Sequence, residues 1–241
     1  MLNKIIINFS KMERLAKKLI EWLKSKFMSI KKIEKPKKTA TIHTKKQKVI
    51  TLRVTTRRVE KLKIKKPKGP KLIIGLGNPG EEYELTRHNC GFMAAQYLID
   101  KNDFPQFKSS PDLESLISKK GKIIIALPQT FMNNSGRAVR KIKDYYKIDT
   151  ENILIIHDDV DFSLGKIKLS YNRGSAGHRG IQSIINSLKT KSFSRCRVGI
   201  SPIRKKIKAE EIVLKKLSKN DQILFADTLK DINNALQPFL K

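Results

Sequence analysis

Cysteine is almost missing from this chain: Cys90 and Cys196 are the two among 241 residues, and they stand in unrelated sequence settings. That scarcity argues against a disulfide framework or a cysteine-built zinc site, and fits a reducing interior. Long apolar runs are missing too, since none approaches the length that spans a bilayer. Ile5 to Ile7 is too short an apolar core for a secretory leader, and no small-residue cleavage site follows it. Acidic residues are few, 22 Asp and Glu against 52 Lys and Arg, which leaves a formal net charge of +30. Such a surplus favours a polyanionic partner, nucleic acid first and an anionic membrane surface second. There is no internal repeat, and no Gly-x-Ser-x-Gly elbow to carry a serine nucleophile.

The charge is unevenly spread. Residues 1–70 hold 23 Lys and Arg against 4 Asp and Glu, or +19, and residues 71–241 carry the remaining +11. In residues 1–32, Met12, Leu15, Ala16, Leu19, Leu23 and Phe27 recur at helical spacing with lysines opposite, the pattern of a basic amphipathic helix. Residues 31–48 read as a solvated linker rich in Lys, Thr and Pro. Alternation at Ile50, Leu52 and Val54, and again at Leu62 and Ile64, hints at a short ribbon. The expected organisation is therefore a basic N-terminal extension, 1–70, followed by an α/β domain, 71–241. The extension suits a ribosome, a membrane surface or a mitochondrial presequence, although it uses Lys where presequences favour Arg.

From residue 71 apolar runs alternate with helical periodicity. The pattern predicts strands at 71–76, 122–127, 152–157, 166–171 and 195–200, with helices near 89–102, 134–147, 178–189 and 219–237. This order implies a single domain with a mixed, mostly parallel twisted central sheet flanked by helices. The strands near 152 and 166 are joined too briefly to run parallel. In such sheets active groups gather at strand ends.

The first strand delivers Gly75-x-Gly77-x-x-Gly80, which resembles a dinucleotide fingerprint only superficially. Pro79 removes a backbone donor from the phosphate cradle, and no helical pattern begins before Asn89, which is suited to capping it. The turn instead opens into a loop carrying Tyr83 and His88. Further polar groups follow other strands: Phe131 and Asn133 after 123–128, and His157, Asp158, Asp159 and Asp161 at the end of 153–157. Gly174-Ser-Ala-Gly-His-Arg-Gly180 offers backbone donors at a helix N-terminus. A histidine beside a carboxylate can act as a general base, which pairs His88 with Asp158 and leaves water as the nucleophile. Asn78 and Asn133 are neutral groups suited to an acyl oxygen or a developing oxyanion. His88, His157, His178 and Asp158 match no metal-site spacing, so no metal or cofactor is expected, and His157 and His178 read as structural. Asp159 reads as a solvated or capping acid, and Cys90 as a small packed residue.

Gly75-Leu-Gly-Asn-Pro-Gly80, Tyr83, Thr86-Arg-His-Asn89 with Gly91, Pro128-x-Thr-Phe-Met-Asn-x-Ser-Gly136, His157-Asp158 with Asp161 and Gly165, Gly177-His-x-Gly180 and Phe193-x-Arg-x-Arg-Val-Gly-Ile200 together resemble bacterial-type peptidyl-tRNA hydrolase. The resemblance is close over 71–200 and looser in the tail. It implies metal-free hydrolysis of the ester between a peptide and the 3′-terminal ribose of tRNA, by a cytoplasmic monomer, or in an organellar matrix if the extension is a targeting segment. It implies that His88 activates water, Asp158 holds its basic form, and Asn78 recognises the N-acylated amino group. Tyr83, Phe131 and Asn133 would line the groove for the terminal nucleotide and peptide, Phe131 offering a stacking face. Arg179 departs from the family's usual Asn and could meet the terminal phosphate or ribose. Arg197 matches a tRNA phosphate contact, whereas Ser170 stands where a basic residue is usual, leaving Lys168 on the same strand face as a substitute. A non-catalytic RNA-binding relative, like the organellar splicing factors of this fold, is the alternative.

Overall fold

The computed structural model describes residues 69–202 and 208–241. The amphipathic helix, linker and ribbon expected in the first 68 residues lie outside them. Seven strands form one sheet: β1 Lys71–Gly75, β2 Lys108–Ser110, β3 Ser115–Lys120, β4 Ile123–Pro128, β5 Ile153–Ser163, β6 Ile167–Tyr171 and β7 Ser194–Ser201. Their order is β2-β3-β4-β1-β5-β7-β6. The four inner strands β4, β1, β5 and β7 are mutually parallel, and β2, β3 and β6 join at the edges through antiparallel pairs. Strand β6 does run opposite to β5, but β7 lies between them.

β1, β4 and the first four residues of β5 are apolar on both faces, as a sheet covered on both sides requires. Leu72 and Ile74 of β1, Ile124 and Ala126 of β4, and Ile153 and Ile155 of β5 share one buried cluster with Val139 and Ile142 of helix α2 (Ser135–Tyr145) and Ile181 and Ile184 of helix α3 (Arg179–Leu188). The intervening residues Ile73, Ile125, Leu154 and Ile156 are equally buried. They face the other side, where helix α1 (Cys90–Lys101) packs on β1, β4 and β5 and is itself backed by helix α5 (Lys219–Leu240). A one-turn helix, α4 (Ala209–Ile212), precedes α5.

Two strands escape the sequence pattern. β2 contains no apolar residue, and β3 has only Leu116 and Ile117. Pairing creates them: β3 and β4 close a hairpin in which Lys120 faces Ile123 across a two-residue loop with Gly121 at φ 59°. β5 continues six residues past the expected 157, because its parallel register with β7 holds as far as Asp159 opposite Gly199 and resumes after a bulge at Ser163 opposite Ser201. The acids that end the apolar run therefore remain on an extended, hydrogen-bonded strand.

Candidate active site

The loop after β1 forms two single 3-10 turns, Glu81–Tyr83 and Arg87–Asn89, and the second leads directly into α1. His88 is fixed in that second turn from outside. Its backbone N–H donates to Val213 O at 2.8 Å, the Arg87 N–H donates to Lys215 O, and the Leu217 N–H donates to Leu85 O. The Arg87 guanidinium, almost fully buried, donates to Ile200 O at 2.8 Å and pairs with Asp221 at 2.6 Å, while Asp221 completes a capping box with Ser218 at the start of α5. One short segment thus ties His88 to the end of β7 and to the C-terminal helix.

Asn89 does not cap α1 through its side chain. Its Oδ1 accepts the Asn78 N–H at 2.9 Å and its Nδ2 donates to Asn78 O at 3.0 Å. This two-bond splint fixes the backbone of Asn78, whose own Oδ1 accepts the Met132 N–H at 2.7 Å. Commitment of Oδ1 to a backbone donor leaves the Asn78 Nδ2 as the group presented to the cleft.

Asp158, on β5, is the hub. Its Oδ1 lies 2.8 Å from His88 Nδ1 and 2.9 Å from His178 Nε2. Burial alone would raise its carboxyl, but the two imidazoles outweigh that and hold it well below the usual carboxylate range. A carboxylate only accepts hydrogen bonds, so both ring nitrogens facing it carry protons. His178 has no freedom in this: as the N-cap of α3, its Nδ1 accepts the N–H groups of Gly180 at 3.1 Å and Ile181 at 3.3 Å. The glycine-rich turn before α3 therefore does not offer those amides to a ligand, as its sequence suggests, because His178 consumes them. For His88 the consequence is chemical. With Nδ1–H spent on Asp158, Nε2 keeps its lone pair, and the half-buried ring lines a cleft of about 960 Å³.

His88, Asp158 and His178 also place three ligand-type atoms within 4.8 Å of one another. A metal on His178 Nε2 would displace its proton to Nδ1, where it would collide with the two amide hydrogens that Nδ1 accepts. The donor set does not fit a metal ion.

Three of the four histidines converge here, for His157 packs edge-on against His178 with ring centroids 4.7 Å apart. Its Nδ1 donates to Asp158 O at 2.7 Å and its buried Nε2 has no partner among the described residues. Burial, then His178, pushes the His157 imidazole well below its ordinary value, so the folded chain keeps it neutral. The unfolded imidazole takes up a proton near pH 6.5. Below that pH the unfolded state binds the extra proton and folding is destabilised, by at most about 1.4 kcal/mol per pH unit; above it the contribution vanishes. Chemical denaturation at pH 7.5 and pH 5.5 checks this: His157→Gln should lose less stability on acidification than the wild-type chain, and equal losses would overturn it.

The remaining expected residues divide. Phe131 and Asn133 are exposed and line the cleft, while half-buried Tyr83 meets the Phe131 ring edge-on at 6.2 Å. Lys168 and Arg197 face each other across β6 and β7 and both line the cleft. Arg197, however, already pairs with Asp159 at 2.5 Å and reaches Asp161 at 3.8 Å. Asp159 is thus buried and ion-paired rather than solvated, and its Oδ1 also accepts the Asp161 N–H at 2.9 Å, because β5 turns it and Asp161 to the face opposite Asp158. His178, read from the sequence as structural, shares the carboxylate of Asp158. The scarcity of histidine is the available signal: three of the four stand beside Gly, Asp or Asn in polar segments that follow strands.

Cys90 and Cys196 are buried, and burial pushes the Cys196 thiol up to about 12. Neither is a nucleophile at neutral pH.

The peptidyl-tRNA hydrolase family model matches residues 72–241. The peptidyl-tRNA hydrolase of Mycoplasma mycoides subsp. mycoides SC is 42% identical over 170 residues, which cover 68% of this chain and 91% of that protein. That of a Sulfurihydrogenibium species is 39% identical over 180 residues, 71% of this chain and 91% of its own. The crystal structure of peptidyl-tRNA hydrolase from Acinetobacter baumannii superposes with a TM-score of 0.61 at 32% identity, covering 70% of this chain and 94% of that one. None of the described helices is long and apolar enough to cross a membrane. With a family match spanning most of the chain and relatives that align over nearly their whole length, the chain belongs to the bacterial-type peptidyl-tRNA hydrolase family.

Proposed function

We propose that the chain hydrolyses the ester joining a peptide to the 3′-terminal ribose of tRNA, with His88 as the base that activates water. The observation that carries this reading is the hydrogen-bond polarity at Asp158: His88 donates from Nδ1, so its Nε2 is the acceptor left at the cleft. A water held there gives its proton to Nε2 as its oxygen attacks the ester carbonyl carbon. The anionic Asp158 stabilises the imidazolium that forms. Asn78 Nδ2 donates to the acyl group without adding a charge, and collapse of the tetrahedral intermediate returns the proton to the departing 3′ oxygen.

Around this centre Phe131 supplies an exposed stacking face, with Tyr83 and Asn133 beside it, for the terminal nucleotide and peptide. Because Arg197 is held by two carboxylates, Lys168 is the freer cation of the β6–β7 pair for a tRNA phosphate. The basic surface gives affinity that falls steeply with salt. In this reading the enzyme is a cytoplasmic monomer, and residues 1–70 tether it to the ribosome or to an anionic membrane. A non-catalytic RNA-binding role is not favoured, since it has no use for a base with a free Nε2.

Release of N-acetyl-aminoacyl groups from tRNA by the purified full chain tests the reading. Multiple turnover, undiminished by EDTA, is expected; no release above buffer would overturn it. Removal of residues 1–70 should weaken association with ribosomes or anionic vesicles while leaving turnover unchanged, and unchanged association with both would refute the tether.

A further inference from the structure

The aspartates that line the cleft are already committed, Asp158 to His88 and His178, and Asp159 and Asp161 to Arg197, while Glu210 lines it as an exposed carboxylate. Arg195 is committed as well, its guanidinium donating to Gly174 O at 2.7 Å and to Arg173 O. Three cations that line the cleft, Lys168, Arg173 and Arg179, are uncommitted among the described residues, and of these it is Arg179 that directly follows His178. It is exposed, lines the same cleft, and has no hydrogen-bond or ion-pair partner among the described residues.

Its position is nonetheless well fixed. Arg179 is the first residue of α3 and directly follows His178, whose ring is locked between Asp158 and the α3 amides. The preceding turn is pinned too, by Arg195 on Gly174 O, by the His178 N–H on Ser175 O and by Ser175 Oγ on Gln182 Oε1. The backbone that carries this uncompensated guanidinium is therefore held one residue away from a hydrogen-bond partner of the catalytic carboxylate. The helix end itself has little left to offer an anion, because His178 Nδ1 occupies the Gly180 and Ile181 amides. Anion recognition at this corner falls to the Arg179 side chain.

From this placement we infer that Arg179 is a specificity-determining residue that grips the phosphodiester nearest the scissile ester, the one on the 5′ side of the terminal ribose. The inference rests on the hydrolytic reading above and names what the substrate must carry: a charged phosphate one sugar away from the bond that breaks. The planar guanidinium matches two phosphate oxygens at once, which an amide at this position could not do. Arg179 touches substrate away from the reacting atoms, so it acts on binding and leaves the chemical step alone.

A chemical double-mutant cycle with the full chain tests it. The substrates are N-acetyl-aminoacyl esters of a 3′-terminal trinucleotide whose last linkage is either the normal phosphodiester or an uncharged methylphosphonate. Arg179→Gln should raise KM about tenfold on the phosphodiester ester, the loss expected for one charge-assisted contact, with kcat little changed. The methylphosphonate should impose a similar loss on the wild-type chain and almost none on the variant, and Arg179→Lys should recover part of the effect. Equal penalties on both substrates, or a fall in kcat at constant KM, would overturn the inference; dependence on an acidic residue in the acyl group would reassign Arg179 to the peptide. Binding of the same two trinucleotides without the acyl group, followed by fluorescence anisotropy, reads the same cycle without turnover. An inactive wild-type chain would thus refute the hydrolytic reading, while a cycle with no coupling in binding would refute the Arg179 contact separately.

Discussion

His88→Ala should lower kcat for release of N-acetyl-aminoacyl groups from tRNA by about a thousandfold, within the range that a positioned general base contributes. KM should stay close to that of the wild-type chain, because the imidazole acts on water rather than on substrate. Asp158 faces two N–H groups, and His178 cannot exchange its proton between nitrogens while two α3 amides point at its Nδ1. The tautomer of His88 is then set by the carboxylate it faces, and the basic nitrogen is the one toward the cleft. Asp158→Asn separates charge from geometry. An asparagine oxygen in the place of Oδ1 still accepts from both rings but no longer stabilises an imidazolium, for an expected loss of about a hundredfold. The amide cannot turn without setting its NH2 against the His178 Nε2–H, which the α3 amides hold in place, so the loss stays smaller than that of His88→Ala. A His88→Ala chain retaining a tenth or more of wild-type kcat would exclude the histidine as the base.

β1, β4 and the start of β5 are legible in the sequence because they are apolar runs, and α2 and α3 because they bear apolar stripes, whereas the order of the strands across the sheet is not written in any local pattern. β2 and β3 are not legible either, since Lys108-Ser-Ser110 has no pattern to read and is a strand only because β3 offers it partners. The same limit divides the site. His88 and Asp158 announce themselves as polar residues beyond apolar strands, and the structure brings them within 2.8 Å. The roles of Asn89, His178 and Asp159 are set by contacts across the fold, with Asn78, Asp158 and Arg197, that no local spacing encodes. The side-chain cap expected of Asn89 gave way to that competition: two hydrogen bonds to the backbone of Asn78 replace one bond to its own helix.

The second large effect is expected at a residue without a side chain. Gly91 opens the first turn of α1 where the helix crosses the sheet. A Cβ there would lie 2.4 Å from Ile156 O, 2.4 Å from Leu76 N and 2.5 Å from Leu76 O. All three are backbone atoms, so no side-chain rotation relieves the clash. The methyl group would enter the Leu76 N–H to Ile156 O hydrogen bond that extends the β1–β5 pairing, and would strain the bond from the Phe92 N–H to Leu76 O. Gly75 shows the same closeness from the opposite side, where a Cβ would fall 2.3 Å from Gly91 O. Gly91→Ala should therefore cost about 3 kcal/mol, at the upper end of overpacking penalties, which corresponds to a Tm lower by roughly 6–12 °C for a domain of this size. The damage also has a direction. Leu76 lies two residues before Asn78, Ile156 two residues before Asp158, and His88 three residues before Gly91, so one wedge drives apart the three chain segments that meet in the site. Ester hydrolysis should fall at temperatures where the variant is still folded, beyond what its unfolded fraction explains. Gly174→Ala is the control, because a Cβ there meets nothing within 4 Å and should shift Tm little. Equal Tm values for Gly91→Ala and Gly174→Ala would show that α1 can lift off the sheet without cost. The close approach of helix to strand would then not be what holds His88 against Asp158.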